Sequence, residues 1–371
     1  MGVDSSPFVS VVTPVYNGAK YLAECIESVL HQTYPHWEYV IVNNCSKDAT
    51  LDIAQRYARQ DPRIRVQNNT EFLPVIQNWN HAMRQISPHS KYCKVVHADD
   101  WLFPECLEKM VQLAEENPSV SLVAAYALRG EKVWLDGLPY PSTTVSGREI
   151  CRRTLMAWGS YVFGSPTSIL MRADDVRQRW EFYNELNFHA DYEVCYELLK
   201  NGDFGFIHQV LTYTRQHPES GTTFATRYNT FRPGALAIFI RYGPYYLSNE
   251  EYKYFLRRRL KSYYRDLAKS VFHLRGKDFW QYHRRELQKI GYGISVIRLA
   301  AASGSIAINL LLNPGSLIKY VFRRLHDKGA GPQSVTTRDM SSQEGERESA
   351  EYASPLPSEE SATATKPADT S

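Results

Sequence analysis

Over its first 130 residues the chain alternates short β-branched runs with segments of helical spacing, and few folds satisfy that rhythm. Residues 8–13 (FVSVVT), 37–42 (WEYVIV), 64–66, 92–96 and 120–127 read as strands, each bounded by turn-forming residues. Residues 19–32 repeat Leu22, Ile26, Val29 and Leu30 along one helical face, and 48–59, 75–86 and 104–116 read as further helices, the last with Pro104 at its first position. Strand–helix alternation of this kind predicts an α/β fold: a doubly wound, mostly parallel sheet with helices on both faces. Ligands of such sheets bind beyond the carboxyl ends of the strands. The loops after Thr13, Val42 and Val96 are therefore the places to look for chemistry.

Beyond Pro139 the rhythm breaks. Helices are expected at 147–158 and 191–200, and strands at 167–171 and 211–215. From residue 229 the chain turns helical, aromatic and basic, with 18 Lys/Arg against 5 Asp/Glu up to residue 326. The remaining residues, 327–371, are rich in Ser, Thr, Pro, Gly and Glu and are expected to be disordered. The chain thus divides into an α/β unit (1–228), a basic helical extension (229–326) and a tail (327–371).

The six cysteines are scattered and form no CxxC pair, which fits reduced thiols in the cytoplasm. The first residues lack a basic segment followed by an apolar run, and no uncharged apolar stretch reaches 18 residues, so neither a signal peptide nor a spanning helix is expected. The most apolar run, 294–312, is interrupted by Arg298, Ser303, Gly304, Ser305 and Asn309. With the basic charge around it, this run suits a helix lying at an anionic membrane surface; a helix packed on the α/β unit is the other reading. No nucleic-acid motif accompanies the basic residues, so no nucleic-acid partner is expected.

Each of the three loops carries a candidate site. The first, TPVYNG, offers Tyr16 for stacking on a base, or is a plain turn. In the second, NNCSKD, Asn44 can meet a base edge while Ser46 or Asp48 caps the next helix. The third, HADD, sets Asp99 beside Asp100. Two adjacent carboxylates are costly unless a cation compensates them, and hard divalent cations take few carboxylates together with phosphate oxygens. Otherwise Asp100 caps the helix that follows. Asn78 and Asn80 either reach toward the same place or face solvent.

Together with the element order, these loops resemble the inverting family 2 glycosyltransferases of the GT-A fold. The resemblance covers residues 8–223, and most of it lies in SVVTPVYNGAKYLAECIESVLHQTYPHWEYVIVNNCSKDAT and HADDWLFPECLEKM. It implies a nucleotide-sugar-binding half (about 7–127) and an acceptor half (about 128–228). It also implies sugar transfer from a nucleotide diphosphate, of the UDP-sugar class, to a hydroxyl of a saccharide or lipid-linked acceptor, with Mg²⁺ or Mn²⁺. Polysaccharide or glycolipid synthesis at the inner face of a membrane would follow.

Residue by residue, the resemblance places Thr13, Pro14 and Tyr16 around the donor base. Asn44 stands where many members carry an aspartate, and Asn43 and Asn44 together replace the usual acidic pair. Asp99 and Asp100 match the motif for donor ribose and metal, with His97 at its first acidic position. Asp191, in NFHADYE, matches the catalytic base, with Glu193 in reserve. Arg215 and His217 match the segment that closes over the diphosphate, and Gly164, Ser165 and Pro166 the acceptor-facing turn. A catalytically inactive binding or scaffold protein of the same fold is the rival. A nucleotidyltransferase would want a Gly-rich basic loop after the first strand, which this chain lacks.

Overall fold

The structure, a computed structural model, describes residues 6–157, 161–218 and 221–312. The tail expected to be disordered lies outside the described residues. Ten strands form one sheet: β1 (Val9–Val15), β2 (Trp37–Asn43), β3 (Ile64–Asn68), β4 (Tyr92–Val95), β5 (Trp101–Leu102), β6 (Val120–Arg129), β7 (Lys132–Trp134), β8 (Thr144–Val145), β9 (Ile169–Arg172) and β10 (Asp203–Thr214). Their order is β3-β2-β1-β4-β9-β6-β10-β5, with β7 on β6 and β8 on β10. The helices are α1 (Leu22–Leu30), α2 (Thr50–Gln60), α3 (Val75–Met83), α4 (Cys106–Glu116), α5 (Gly147–Met156), α6 (Ala173–Arg177), α7 (Ala190–Leu198), α8 (Gly221–Tyr228), α9 (Phe231–Tyr246), α10 (Asn249–Phe272), α11 (Lys277–Lys289) and α12 (Val296–Leu312).

Alternate residues of the central strands enter two separate cores, as period-2 geometry requires. Val12, Val40, Val42, Cys93 and Val95 face one core with α3, α5, α7 and α9; Val9, Val11, Tyr39, Ile41 and Tyr92 face the other with α1, α2 and α4. The helices therefore cover both faces, and each fully buried Val, Leu or Ile contributes roughly 1.5–3 kcal/mol.

The sheet is mixed, with its longest ladders parallel. β3, β2, β1 and β4 run parallel, as do β6 and β10, but β9 is antiparallel to both β4 and β6. The reason lies in what precedes β9. A 3₁₀ turn, Pro166–Ser168, reaches the carboxyl edge of the sheet at Asp100, so the strand leaving it must run back the other way. Two further differences are local. The helix expected from Pro104 begins at Cys106. The strand expected at 211–215 extends back to Asp203, its register shifted by irregularities near Ile207 and Val210.

The extension packs on the α/β unit. Ile238, Phe239, Tyr242 and Tyr246 of α9 belong to the same core as β4 and α7, so residue 228 is not a packing boundary. Leu236 of α9 joins Tyr263, Leu267, Phe279 and Leu287 in a third core, against which Leu299 and Ala302 of α12 lie. Arg259 of α10 donates to the carbonyls of Leu155 and Ala157.

Candidate active site

The first two loops are stitched together at the carboxyl edge of the sheet. Asn17, at a left-handed φ of 51°, accepts from the Lys47 amide and donates its own amide to Ser46. Neither Ser46 nor Asp48 is the N-cap of α2, which is Ala49; Asp48 accepts from the Thr50 and Ala19 amides and so joins the two loops. Gly18 passes so close beneath the third loop that a Cβ there would lie 2.5 Å from Val15 Cγ2 and 3.4 Å from the Ala98 Cβ.

Thr13 and Pro14 are buried, unlike Tyr16. Thr13 therefore offers no surface to a donor. Its hydroxyl binds the Val96 carbonyl (2.7 Å) and the Tyr39 phenol (2.8 Å), tying β1 to β4 and β2. Tyr16 is 46% exposed, and its ring meets that of Phe72, 56% exposed, edge-on with centroids 4.9 Å apart. Phe72 escaped the sequence reading because it lies in an irregular loop.

Asn44 is also buried, and its amide is occupied. Its Oδ1 accepts from Asn69 Nδ2 (3.0 Å) and the Leu73 amide (2.9 Å), and its Nδ2 donates to the Leu73 carbonyl (2.8 Å). Its part is to hold the loop that carries Phe72 rather than to meet a base edge. Asn78 extends the network by accepting from Asn69, and Asn80 clamps the Tyr183 main chain through both ends of its amide. Both are buried, so neither faces solvent.

The third loop gathers the charged residues. Asp100 does not cap α4: its Oδ2 accepts from the Thr167 hydroxyl (2.7 Å) and its Oδ1 from the Arg215 amide (2.9 Å). Burial, and then the charge of Asp99, push the Asp100 carboxyl up to about 8. Asp99 Oδ2 lies 2.9 Å from His217 Nε2. The Arg215 guanidinium donates to the Asp99 carbonyl, pairs with Glu24, and lies over the rings of Tyr21 and Trp101 at 4.4 and 5.0 Å. Trp101 stacks on Tyr213 at 3.5 Å, which fixes β5 to the strand that delivers Arg215 and His217. Asp99, Asp100, Arg215 and His217, read from segments more than 110 residues apart, thus form one cluster.

This cluster is short of positive charge, and its donors are hard oxygens. Among the described residues no group of three or more His, Cys, Asp or Glu side chains gathers to hold a metal alone. Two carboxylates completed by ligand phosphates suit Mg²⁺ or Mn²⁺, which are bound in that way. His97 stands apart from them: its ring packs on Trp79 at 4.9 Å, and burial lowers its pKa, which keeps it neutral.

Trp79 also meets Tyr183 at 5.5 Å, and that loop leads to Asp191 in the first turn of α7. Burial raises the Asp191 carboxyl to about 6, against the pull of the backbone N–H groups of Tyr192 and Asp191. Glu193 is committed elsewhere, accepting from Asn184, Asn187 and Arg241. That leaves Asp191 as the base candidate on this helix. Gly164, at φ +82°, and Ser165 are half-buried and Pro166 is buried, so only the start of that turn can meet a ligand.

Residues 10–180 match the sequence profile of glycosyl transferase family 2. Two Bacillus subtilis proteins are similar to the chain. EpsE, named as a glycosyltransferase candidate, is 32% identical over 42% of this chain and 57% of its own length. TuaG, named as a candidate glycosyltransferase of teichuronic acid biosynthesis, is 35% identical over 36% of this chain and 50% of its own. The chain thus spans about half the length of these relatives. Among solved structures, S. aureus TarS 1-349 in complex with UDP superposes with a TM-score of 0.54 at 19% identity, covering 76% of this chain and 79% of that one. That likeness shows the GT-A-type α/β fold.

Proposed function

From the match of residues 10–180 to glycosyl transferase family 2, we propose that the chain moves a sugar from a nucleoside diphosphate to a hydroxyl acceptor, with inversion, in the building of a cell-surface polysaccharide or glycolipid. The observation that carries this reading is the cluster of Asp99, Asp100, Arg215 and His217 at the carboxyl edge of the sheet. A UDP-sugar is the favoured donor class, in keeping with the UDP and UDP-GlcNAc complexes of TarS.

In this reading Asp191 removes the acceptor proton as the oxygen attacks the anomeric carbon, and the bond to the diphosphate oxygen breaks on the opposite side. His217, held by Asp99, and the main chain around Asp100 orient the departing diphosphate. Asp100 and Asp99 would hold Mg²⁺ or Mn²⁺, which when bound neutralises diphosphate charge. The test is metal-dependent turnover with a panel of nucleotide sugars. An inactive binding protein would take up donor without hydrolysing or transferring it.

The base platform gives a separate prediction. Replacing Phe72 by Ala should weaken UDP binding about fivefold to a hundredfold, the scale of one base–aromatic contact. Asn44→Ala should act indirectly, by freeing the same loop. Calorimetric titration with UDP measures both, and unchanged affinity in Phe72→Ala removes the ring from the donor site.

The extension supports work at an anionic membrane face. No helix among the described residues is long and apolar enough to cross a membrane. On α12, Ile297, Ala301, Gly304, Ile308 and Leu311 form an exposed stripe at helical spacing. On α10, which packs against α12, Lys253, Arg257, Lys261 and Arg265 are exposed at four-residue intervals. Each basic residue near such a surface adds about 1 kcal/mol. The chain should float with phosphatidylserine vesicles at low salt and release as salt rises. Joint Ile297→Ser and Ile308→Ser replacement should abolish flotation, and a full-length chain that stays in solution at low salt overturns the reading.

A further inference from the structure

The mechanism makes no use of Lys94, which is the strangest residue of the central sheet. It lies on β4 among buried Tyr92, Cys93, Val95 and Val96, where an apolar side chain is the ordinary occupant, and it is 0% exposed. Its ammonium donates to the carbonyl oxygens of Thr167 (2.6 Å) and Ile169 (3.1 Å) and lies 3.5 Å from Met110 Sδ. Burying an ammonium among main-chain carbonyls and a thioether is costly even when its protons are used. Burial accordingly lowers its pKa.

The Thr167 carbonyl belongs to the 166–168 turn beside Asp100, and the Ile169 carbonyl to the first residue of β9. From that turn the Thr167 hydroxyl donates to Asp100 Oδ2 (2.7 Å), and the same oxygen accepts from the His97 amide (3.1 Å). A continuous chain therefore runs from the Lys94 ammonium through the Thr167 main chain and hydroxyl to the Asp100 carboxylate. The turn is otherwise held by the burial of its own residues and by β9, which pairs with β4 on one side and β6 on the other, but Lys94 is the side chain of β4 that grips its main chain.

We propose that Lys94 is a positioning residue: by gripping the 166–168 turn from beneath, it sets the direction in which Asp100 presents its carboxylate. The proposal rests on the reading of Asp100 as a donor-side ligand, but its first test does not. In a crystal structure of Lys94→Met, a near-isosteric replacement, the turn should shift and the Thr167–Asp100 bond should open while β1, β2 and β4 stay in place. Retention of that bond overturns the proposal.

The second test is Mn²⁺ uptake in the presence of UDP, followed by electron paramagnetic resonance. Lys94→Met and Thr167→Val should each lower the affinity roughly tenfold or more, the scale of a lost outer-sphere partner. The double variant should be no worse than either, because both act through one path, and Thr167→Ser should restore most of the affinity. Additive losses would mean that Lys94 acts by general stability, and would sink the proposal. Should Lys94→Met fail to fold, Lys94→Gln keeps an NH₂ donor for the turn, without the charge, and should give an intermediate loss. Should the natural chain take up no Mn²⁺, the metal reading falls and the crystal structure alone decides on Lys94.

Discussion

Replacing Asp191 by Asn is expected to lower kcat by about 10²-fold or more while leaving donor affinity unchanged, the scale of a lost general base. The substitution keeps the size of the side chain, so the loss should appear without a drop in melting temperature. The pH profile gives an independent reading. Burial holds this carboxyl at about 6, and a base must be ionised to accept a proton. Activity should therefore be near its plateau at pH 7 and fall about tenfold by pH 5, as the fraction ionised falls. In Asp191→Asn the residual rate should lose that acid limb. Normal turnover in the variant, or an acid limb that persists unchanged, removes Asp191 from the role. Glu193 is a poor substitute, being held by Asn184, Asn187 and Arg241.

Replacing Asp100 by Asn should abolish turnover and yet stabilise the cation-free protein. Its pKa of about 8 in the folded chain exceeds the ordinary carboxylate value of about 4. Between those values the folded state binds a proton that the unfolded state lacks, so stability falls as pH rises through that window and levels off above pH 8. Asn removes the titration and still accepts from the Arg215 amide through its oxygen, while its NH₂ faces the Thr167 hydroxyl. The melting temperature of Asp100→Asn should therefore exceed that of the natural chain at pH 7–8 in EDTA, with a flatter pH dependence. Adding Mn²⁺ with UDP should raise the melting point of the natural chain and leave the variant unmoved. A variant that retains turnover, or a natural chain fully active in excess EDTA, would take the carboxylate out of the metal-dependent reading.

The strands from β1 to β4 were legible because each is a run of four to seven residues with one clear period, and the loops at their ends inherit their place from the topology. β9 was legible as a strand but not in direction, since nothing in ILMR encodes the turn that precedes it. The acidic pair was read from its loop at the carboxyl edge of the sheet, but its partners at 215 and 217 came from the resemblance, and no local spacing links them to it. Thr13 and Asn44 were misread for one physical reason. A polar side chain at the end of a strand can point to ligand or to framework, and only the fold decides. Lys94 was not singled out from the sequence, because the partners that explain it lie more than 70 residues away.

The double allegiance of α9 bears on how chains of this kind can be recombined. One face of that helix completes the core beneath α7, and its other face opens the core of the extension. An α/β module excised at residue 228 would lose Phe239, Tyr242 and Tyr246 and bare the core beneath α7 to water, and would aggregate rather than fold cleanly. The serviceable seam lies after Leu247, where Ser248 caps α10 with a full capping box and begins a fresh helix. Grafts of foreign C-terminal helices should therefore keep α9 with the sheet, although Arg152 and the Leu155 carbonyl would still need partners across the join.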